Sequence, residues 1–205
     1  MGTILLVRHA ESTWNGSGHI QGTSDPPLSR RGRAQARALA RVLAPFKPQR
    51  IESSPLARAR ETAQILAERL QRRLVVQPDL HEIHLGLWEG LTPKEVDRRF
   101  RRGYRRWLAG PSRVRIPEAE PIRAFRRRSL GCWKRYAAFA KRSRGTLAVV
   151  THGGVMISIL AHLLDASFDR LLVSLPLLNT AQVRITWHVN RWCVSLRDGF
   201  STVWV

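Results

Sequence analysis

Two short apolar runs, each followed by a histidine after one intervening residue, constrain the fold of this chain most strongly. The first run lies within residues 3–7 (TILLV) and leads into Arg8 and His9. The second is LAVV at 147–150, which leads through a threonine to His152. Consecutive apolar residues of this kind are typical of strands buried on both faces. We therefore expect two interior strands, each ending close to a histidine.

Helix and strand signals alternate along the rest of the chain. Apolar residues at helical spacing predict one helix after Ser29, its N-cap, and a second after Pro55. Strand or helix patterns also occupy 50–53, 73–78 (RLVVQP), about 93–108, about 122–143, 155–168, 181–187 and 191–196, the last two as paired strands. This alternation predicts a single α/β domain over residues 1–205, a three-layer αβα sandwich with a mostly parallel central sheet and helices on both faces.

The charge of the chain is strongly positive and unevenly distributed. There are 35 Lys and Arg against 15 Asp and Glu, a formal charge of +20, and the segment from Lys94 to Arg144 alone holds 18 basic and 4 acidic residues. Such a segment could bind nucleic acid or acidic lipid, form a solvated face, or attract polyanionic substrates. It contains no recognisable nucleic-acid module, and its aromatic residues are spaced for inward packing. We therefore expect no nucleic-acid partner.

Cysteine content and hydropathy bear on compartment and membrane association. Cys132 and Cys193 are far apart and match no metal-ligand spacing, so we expect buried thiols in a reducing compartment. No cationic leader precedes the first apolar run, and no segment reaches the roughly 18 apolar residues of a membrane span. These features predict a cytoplasmic protein without a membrane partner. A homodimer through an exposed edge strand remains a possibility.

The ends of the two apolar runs are where a binding site is expected. In open α/β sheets, ligands bind beyond the carboxyl ends of the strands, so Arg8, His9 and His152 can meet there. Arg58 lies at the start of the second helix, and a helix N-terminus favours anions. Two arginines, two histidines and backbone N–H groups at one point suit a phosphate, which the guanidinium fork binds bidentately.

A histidine in such a pocket can also act as a nucleophile. Nearby arginines disfavour the imidazolium ion, and a neutral imidazole can attack phosphorus to give a phosphohistidine. Hydrolysis then needs a carboxyl group that protonates the leaving oxygen and later accepts a proton from water. From the residues alone, Glu82, Glu89 and Glu11 are all candidates for this carboxyl group.

Several motifs resemble those of the histidine phosphatase superfamily, the phosphoglycerate-mutase-like proteins. LLVRHAESTWN at 5–15 resembles its phosphohistidine signature, and similar later blocks follow in the family's order: GHIQGTSDPPLSRRGRAQA, SSPLARARETA, LHEIHLGLWEG and VVTHGGV. The resemblance implies a phosphoglycerate-mutase-like fold. Position by position, it implies that the catalytic residues are His9 as nucleophile, Glu82 as proton donor and then base, and Arg8, Arg58 and His152 as phosphate ligands.

The resemblance also implies further substrate contacts and a reaction without metal or cofactor. Asn15 matches a phosphate-contacting asparagine, and Gln21 and Gly22 match a loop that borders the pocket, where Thr23 is expected to contribute through its backbone. The chain offers no carboxylate cluster suited to magnesium. His81 and His84 invite a metal interpretation, but residues three apart in an extended segment point to opposite faces, so we expect no metal there.

The length of one segment separates branches of the family. Cofactor-dependent mutases carry a longer insertion after the WEG block, whereas here Glu120 follows Gly90 by only 30 positions. The resemblance therefore implies a phosphatase acting on a small anionic phosphorylated metabolite. An α-ribazole 5'-phosphate phosphatase, a phosphoglycerate mutase, and a phosphate or nucleic-acid binding module without turnover are the alternatives.

The basic region at about 91–145 is expected to form a helical, lid-like insertion over the pocket. Many family members have a GGES turn where this chain has EAEP at 118–121. Glutamate and alanine do not readily adopt the positive φ that glycine allows, so we expect a turn of another shape here.

Overall fold

The computed structural model describes residues 1–196 and 201–205, and seven strands of these residues form one sheet. The strands are β1 (Thr3–Arg8), β2 (Arg50–Ser53), β3 (Leu74–Val76), β4 (Thr146–Thr151), β5 (Gln182–His188), β6 (Arg191–Leu196) and β7 (Ser201–Trp204). Their order is β3-β2-β4-β1-β5-β6-β7; the first four are parallel, and β5, β6 and β7 pair antiparallel. The predicted central strands and the terminal hairpin are confirmed.

Helices cover both faces of this sheet. They are α1 (Thr13–Ser17), α2 (Arg30–Leu43), α3 (Ala57–Leu70), α4 (Pro93–Ala109), α5 (Ile122–Arg142), α6 (Gly153–Leu163) and α7 (Phe168–Ser174). One hydrophobic cluster joins α2 and α3 to one face, and a larger cluster joins α5 and α6 to the other. The three-layer αβα sandwich is therefore confirmed. The Ser29 hydroxyl accepts a hydrogen bond from the Gly32 N–H, as expected of an N-cap.

The first strand shows why its apolar run is continuous. Leu5 and Val7 pack in the cluster under α2 and α3, whereas Ile4 and Leu6 pack in the cluster under α5 and α6. None of the four side chains is more than 1% exposed. Because successive side chains of a strand point to opposite faces, an interior strand of a three-layer fold needs apolar residues at every position.

The two helices of the basic region occupy different places. Helix α5 is a layer of the sandwich, with Phe125, Trp133 and Tyr136 buried on the sheet side. Helix α4 belongs instead to a smaller cluster built on Trp88, Val96 and Ile116, and it is kinked at Phe100, where φ is −128° and ψ 34°. Of the basic region at about 91–145, only the part before α5 therefore lies outside the three layers of the sandwich.

Two local features differ from the sequence-based expectations. The short helix α1 lies in a segment for which the sequence predicted neither a helix nor a strand. The helix expected over 155–168 ends at Leu163, and a new helix begins at Phe168, because Asp165 adopts a left-handed φ of 47°. The Ser167 hydroxyl then accepts a hydrogen bond from the Arg170 N–H and caps α7. A serine that bonds the backbone in this way favours a new helix start over continuation.

The turn at Glu118 also corrects an expectation. Glu118 adopts the left-handed conformation, with φ of 62°, that we expected a glutamate to avoid. The Ala119 N–H donates to the Ile116 carbonyl at 3.2 Å, and the Leu87 N–H donates to the Pro117 carbonyl at 3.2 Å. Hydrogen bonds on both sides hold the turn, at a conformational cost on the order of 1 kcal/mol for a non-glycine residue.

Among the described residues, no helix combines the length and the apolar character that a membrane span requires.

Two helical glycines are expected to respond to alanine with opposite signs. At Gly131 in α5, an added Cβ would meet no heavy atom within 4 Å, so Gly131→Ala should stabilise the protein by about 1 kcal/mol through helix propensity. At Gly32 in α2, a Cβ would lie 1.9 Å from the Glu11 carbonyl oxygen, so Gly32→Ala should destabilise it by about 1–3 kcal/mol. Thermal unfolding measures both changes. A rise in melting temperature for Gly32→Ala would contradict the close packing of α2 on the Glu11 backbone.

Candidate active site

Parallel pairing of β1 with β4 brings the two histidines together. Arg8 is in register with Thr151, and the His9 N–H donates to the Thr151 carbonyl at 2.9 Å. The ring centroids of His9 and His152 are 5.1 Å apart, and the two residues are 3% and 0% exposed. The expected meeting of the two strand ends is therefore found at the carboxyl edge of the sheet.

The tautomer of His9 is fixed by the backbone. Its Nδ1 lies 2.7 Å from the Ala10 carbonyl oxygen, which can only accept, so Nδ1 carries the proton and Nε2 is the basic nitrogen. The Arg58 Nε donates to this Nε2 at 3.3 Å. Burial lowers the pKa of His9 well below its ordinary value, and the charges of Arg58 and Arg8 lower it further. His9 is thus a neutral imidazole with a lone pair on Nε2.

Arg58 is buried, with a relative exposure of only 1%, and hydrogen bonds fix its guanidinium group. It is the second residue of α3, and its two terminal nitrogens donate to the carbonyls of Ser24 at 2.8 Å and Gly22 at 2.7 Å. Burial lowers its pKa to about 10, an effect that the Glu82 carboxylate partly opposes. Arg58 therefore keeps its charge near neutral pH, beside His9.

Two buried nitrogen atoms close to His9 have no hydrogen-bond partner among the described residues, Nε of Arg8 and Nδ1 of His152. Arg8 donates through Nη1 to the Leu177 carbonyl, and His152 shares a 2.7 Å hydrogen bond with Ser54 through Nε2. Burial lowers the pKa of both residues, well below the ordinary value for His152. Because leaving such groups unpaired is costly, these atoms mark where a ligand with acceptor oxygens would bind.

Glu82 lies in a loop that follows β3, and its side chain contacts the first turn of α6. Its carboxylate accepts hydrogen bonds from the backbone N–H groups of Ile83 at 2.9 Å and Gly154 at 3.0 Å. A Cβ on Gly154 would lie 2.4 Å from Oε1 of Glu82, so this close approach requires glycine. The charge of Glu82 acts on both Arg8 and Arg58. One carboxylate is therefore held beside the two arginines.

The other two candidate carboxylates have structural partners. Glu89 accepts from the backbone N–H groups of Leu85, Thr23 and Ser24 at 2.8–2.9 Å, tying two loops together. Burial acts to raise the pKa of Glu89, but these hydrogen bonds lower it overall. Glu11 accepts from the Ser29 hydroxyl at 2.7 Å. Of the three, Glu82 is the carboxylate whose charge acts on both Arg8 and Arg58.

The remaining predicted substrate contacts are joined by hydrogen bonds to one another or to the residues above. The side-chain amide oxygen of Asn15 accepts from the Ser12 N–H and from the Asn179 amide, and the side chain of Gln21 accepts from the Ser12 hydroxyl at 2.8 Å. The Gly22 carbonyl is a partner of Arg58, as described above, and Thr23 bonds to Glu89 through its backbone and its hydroxyl. Gly22 and Thr23 thus support the pocket through backbone contacts.

His81 and His84, where we expected no metal, contact different groups. His81 donates through Nδ1 to the Glu82 carbonyl at 2.9 Å, whereas Nε2 of His84 lies 3.8 Å from Glu89. In the described part of the chain, no group of three or more His, Cys, Asp or Glu residues is placed to hold a metal ion.

Sequence reasoning missed two residues that support the site. Ser54 is completely buried and fixes the His152 ring. Asn179 donates from its amide to the His9 carbonyl at 3.2 Å and to Asn15 at 3.1 Å. Ser54 lies within a quoted motif, next to Pro55. Asn179 follows α7 in an irregular segment, and no local pattern distinguishes it.

Comparisons with known proteins agree with this geometry. The model of the histidine phosphatase superfamily (branch 1) matches residues 4–198. Phosphoserine phosphatase 1 of Hydrogenobacter thermophilus is 33% identical over 167 residues, which cover 82% of this chain and 78% of that protein. The metal-independent phosphoserine phosphatase of Arabidopsis thaliana is 33% identical over 193 residues, covering 92% and 80%. The solved structure of Bacillus stearothermophilus YhfR is 27% identical and superposes with a TM-score of 0.86 over 98% of both chains.

A longer plant protein matches over a part of its length. The 2-carboxy-D-arabinitol-1-phosphatase of Triticum aestivum is 33% identical over 160 residues, which are 78% of this chain but only 30% of that protein. The chain belongs to branch 1 of the histidine phosphatase superfamily and is assigned to the phosphoric monoester hydrolases.

Proposed function

We propose that the protein hydrolyses small phosphomonoesters without a metal, through a phosphohistidine formed on Nε2 of His9. The observation that carries this proposal is the state of His9, a buried neutral imidazole whose Nδ1 proton is fixed by the Ala10 carbonyl. Arg58 donates to its Nε2, and Nε of Arg8 and Nδ1 of His152 have no hydrogen-bond partner among the described residues. A nucleophile surrounded by donors suits attack on a phosphate whose oxygens they bind.

In the first step, Nε2 of His9 attacks phosphorus and the ester P–O bond breaks. The carboxyl proton of Glu82 moves to the departing oxygen, which leaves as an alcohol, and Glu82 becomes a carboxylate. Arg8, Arg58 and His152 bind the phosphoryl oxygens throughout, so their charge and N–H groups stabilise the transition state. The fixed Nδ1 proton stays on His9, and the phosphohistidine carries the P–N bond at Nε2.

In the second step, water attacks the phosphorus of the phosphohistidine. The Glu82 carboxylate accepts a proton from this water, the P–N bond breaks, and inorganic phosphate leaves. His9 regains its neutral imidazole and Glu82 its proton, so no external proton donor is needed over one turnover. The two backbone N–H groups that hold Glu82 keep the same carboxyl group in place for both steps.

The substrate class we propose is a small anionic phosphorylated metabolite. Two relatives are named for phosphoserine and for 2-carboxy-D-arabinitol 1-phosphate, which are phosphomonoesters that also carry a carboxylate. Six arginines of α4 are exposed, and none lies within salt-bridge distance of a carboxylate among the described residues: Arg98, Arg99, Arg101, Arg102, Arg105 and Arg106. Their unpaired charge supports attraction of substrates with more than one anionic group.

Phosphate release from a panel of phosphomonoesters in EDTA tests the proposal. The panel contains phosphoserine, phosphoglycerates, sugar bisphosphates, α-ribazole 5'-phosphate and p-nitrophenyl phosphate. Wild type should release phosphate from at least one of these, and His9→Ala should abolish release because the nucleophile is gone. Retained activity in His9→Ala would contradict the mechanism, and isomerised phosphoglycerate without free phosphate would indicate a mutase.

Glu82→Gln should reveal the proton donor through the leaving group. Alkyl phosphates need protonation of a basic leaving oxygen, so their kcat/KM should fall about 100-fold or more, whereas that of p-nitrophenyl phosphate should fall much less. Because kcat/KM reports formation of the phosphohistidine and not its later hydrolysis, in which Glu82 also takes part, kcat/KM values for glycerol 2-phosphate and p-nitrophenyl phosphate measure the difference. An equal fall in kcat/KM for both esters would argue against Glu82 as the acid.

The protonation state of His9 and His152 can be measured directly. Burial lowers both pKa values well below the ordinary value. The NMR chemical shifts of the imidazole nitrogens should therefore remain those of neutral rings from pH 8 to about pH 5.5. A titration midpoint near 6.5 for either ring would contradict the electrostatic account.

The lowered pKa values of His9 and His152 also predict how the stability of the protein changes with pH. Below about pH 6.5 the unfolded chain binds protons that the folded histidines exclude, so the free energy of unfolding falls with decreasing pH, by at most about 1.4 kcal/mol per unit per histidine. His9→Asn should make this dependence shallower in denaturant unfolding. An unchanged dependence would mean that His9 titrates alike in both states.

The charge of α4 can be tested by reversal. Replacing Arg101, Arg102 and Arg105 by glutamate should lower kcat/KM for a bisphosphate more than for a monophosphate, and added salt should shrink the difference. The matched control reverses Arg37, Arg41 and Arg69, which lie together on the surface of α2 and α3. If both triple variants change both substrates alike, attraction by α4 plays no part in substrate preference.

A further inference from the structure

Arg128 of α5 makes an unusually complete set of contacts with the loop that carries Glu82. Its Nε and Nη2 donate to the two carboxylate oxygens of Glu120 at 2.9 and 2.8 Å. Its Nη1 donates to the carbonyls of Asp79, at 3.0 Å, and His81, and its Nη2 donates also to the carbonyl of Glu82, at 2.9 Å. The five N–H groups of the guanidinium therefore all have acceptors.

The loop at 79–84 depends on these contacts for its shape. It begins within a short 3₁₀ turn at Pro78–Leu80 and lies outside the strands of the sheet. A further hydrogen bond, from the Glu120 N–H to the His84 carbonyl at 3.0 Å, ties the far end of the loop to Glu120. The Arg128 and Glu120 side chains are only 14% and 17% exposed, and the guanidinium carbon lies 4.8 Å from the centre of the Phe125 ring. The pair is thus a rigid, partly buried support.

Glu82 is consequently held at both of its ends. Its own carbonyl accepts from Arg128, while its carboxylate accepts from Ile83 and from Gly154 at the start of α6. The Phe125 ring that underlies Arg128 also lies against Gly154, since a Cβ there would be 3.1 Å from the ring. Helix α5 therefore supports the backbone of Glu82 and the helix start to which its carboxylate is bonded.

We propose that Arg128, fixed by Glu120, is a positioning residue that aims the Glu82 carboxyl group at the leaving oxygen. The inference rests on the proposed role of Glu82 as proton donor. Arg128 contacts no reacting atom in this scheme and acts only through the loop. A proton donor must be placed to within a fraction of an ångström, and a small misplacement can cost about 100-fold in rate.

The chemistry of the pair explains why arginine is needed at this position. Lysine has three donors around a point charge, whereas the planar guanidinium can face a carboxylate along one edge and three carbonyls along the others. The Glu120 carboxylate also balances the charge of Arg128. The loop is therefore held without adding a net charge beside the phosphate pocket.

The experiment compares kcat/KM, which reports the first chemical step, for glycerol 2-phosphate and p-nitrophenyl phosphate in Arg128→Ala, Arg128→Lys, Glu82→Gln and the double variant Arg128→Ala/Glu82→Gln. Arg128→Ala should lower kcat/KM for glycerol 2-phosphate about 10-fold more than for p-nitrophenyl phosphate. Arg128→Lys should be intermediate, and added guanidinium should partly restore Arg128→Ala. The double variant should be no slower than Glu82→Gln, because the two residues serve one proton transfer.

Arg135→Ala is the matched control. Arg135 lies on the same helix and approaches the same loop, with Nη1 3.6 Å from the Asp79 carboxylate, but it is half exposed and bonds to no loop carbonyl. Its kcat/KM values should stay within about twofold of wild type for both esters. Should Arg128→Ala fail to fold, Glu120→Gln tests the same support, because the amide keeps the shape but weakens the ion pair. It should show the same leaving-group preference to a smaller degree.

The outcomes separate this proposal from the one on which it rests. If Glu82→Gln slows both esters equally, the assignment of Glu82 as the acid fails, and the positioning role fails with it. If Glu82→Gln discriminates between the esters but Arg128→Ala slows both alike, or adds its full effect to the double variant, Arg128 only stabilises the fold. The same holds if Arg128→Ala does not fold and Glu120→Gln does not discriminate.

Discussion

The parallel pairing of β1 with β4 is the constraint on which the site depends. Apolar residues at every position allow these two strands to lie inside the sandwich with helices on both faces. Their register places Arg8 opposite Thr151, so the next residues, His9 and His152, leave the sheet side by side. Shifting one strand by a single residue would exchange its buried faces and separate the two rings.

Burial then determines the chemistry of that edge. Desolvation keeps both histidines neutral, while Arg58 and Arg8 remain charged with part of their donors directed at backbone carbonyls. The two positive charges exceed the single negative charge that Glu82 carries when it is ionised. The pocket is therefore cationic with Glu82 protonated or ionised, and it is rich in N–H donors before any ligand arrives. Such a site favours binding of a phosphate dianion, and the neutral imidazole of His9 can act as the nucleophile.

The sequence was sufficient for those parts of the fold that repeat a pattern or a known motif. Continuous apolar runs marked β1 and β4, helical spacing marked α2 and α3, and the motif resemblance brought His9, Arg58, Glu82 and His152 to one place. The break between α6 and α7 depends on local hydrogen bonding of Ser167, and the left-handed Glu118 on contacts with a distant loop. The sequence did not distinguish Arg128 from its many other arginines, because its partners lie 8 and 46 residues away and leave no periodic signal.

The most direct test of the central claim is mass spectrometry of the protein quenched in base during turnover of p-nitrophenyl phosphate, since phosphohistidine survives in base. Peptides from wild type and from Glu82→Gln are compared, because the variant should form the intermediate but hydrolyse it slowly. The account predicts one phosphoryl group on the peptide containing His9, in greater amount in Glu82→Gln and absent in His9→Asn. A phosphoryl group on a different residue, or none on any peptide of an active Glu82→Gln enzyme, would contradict it.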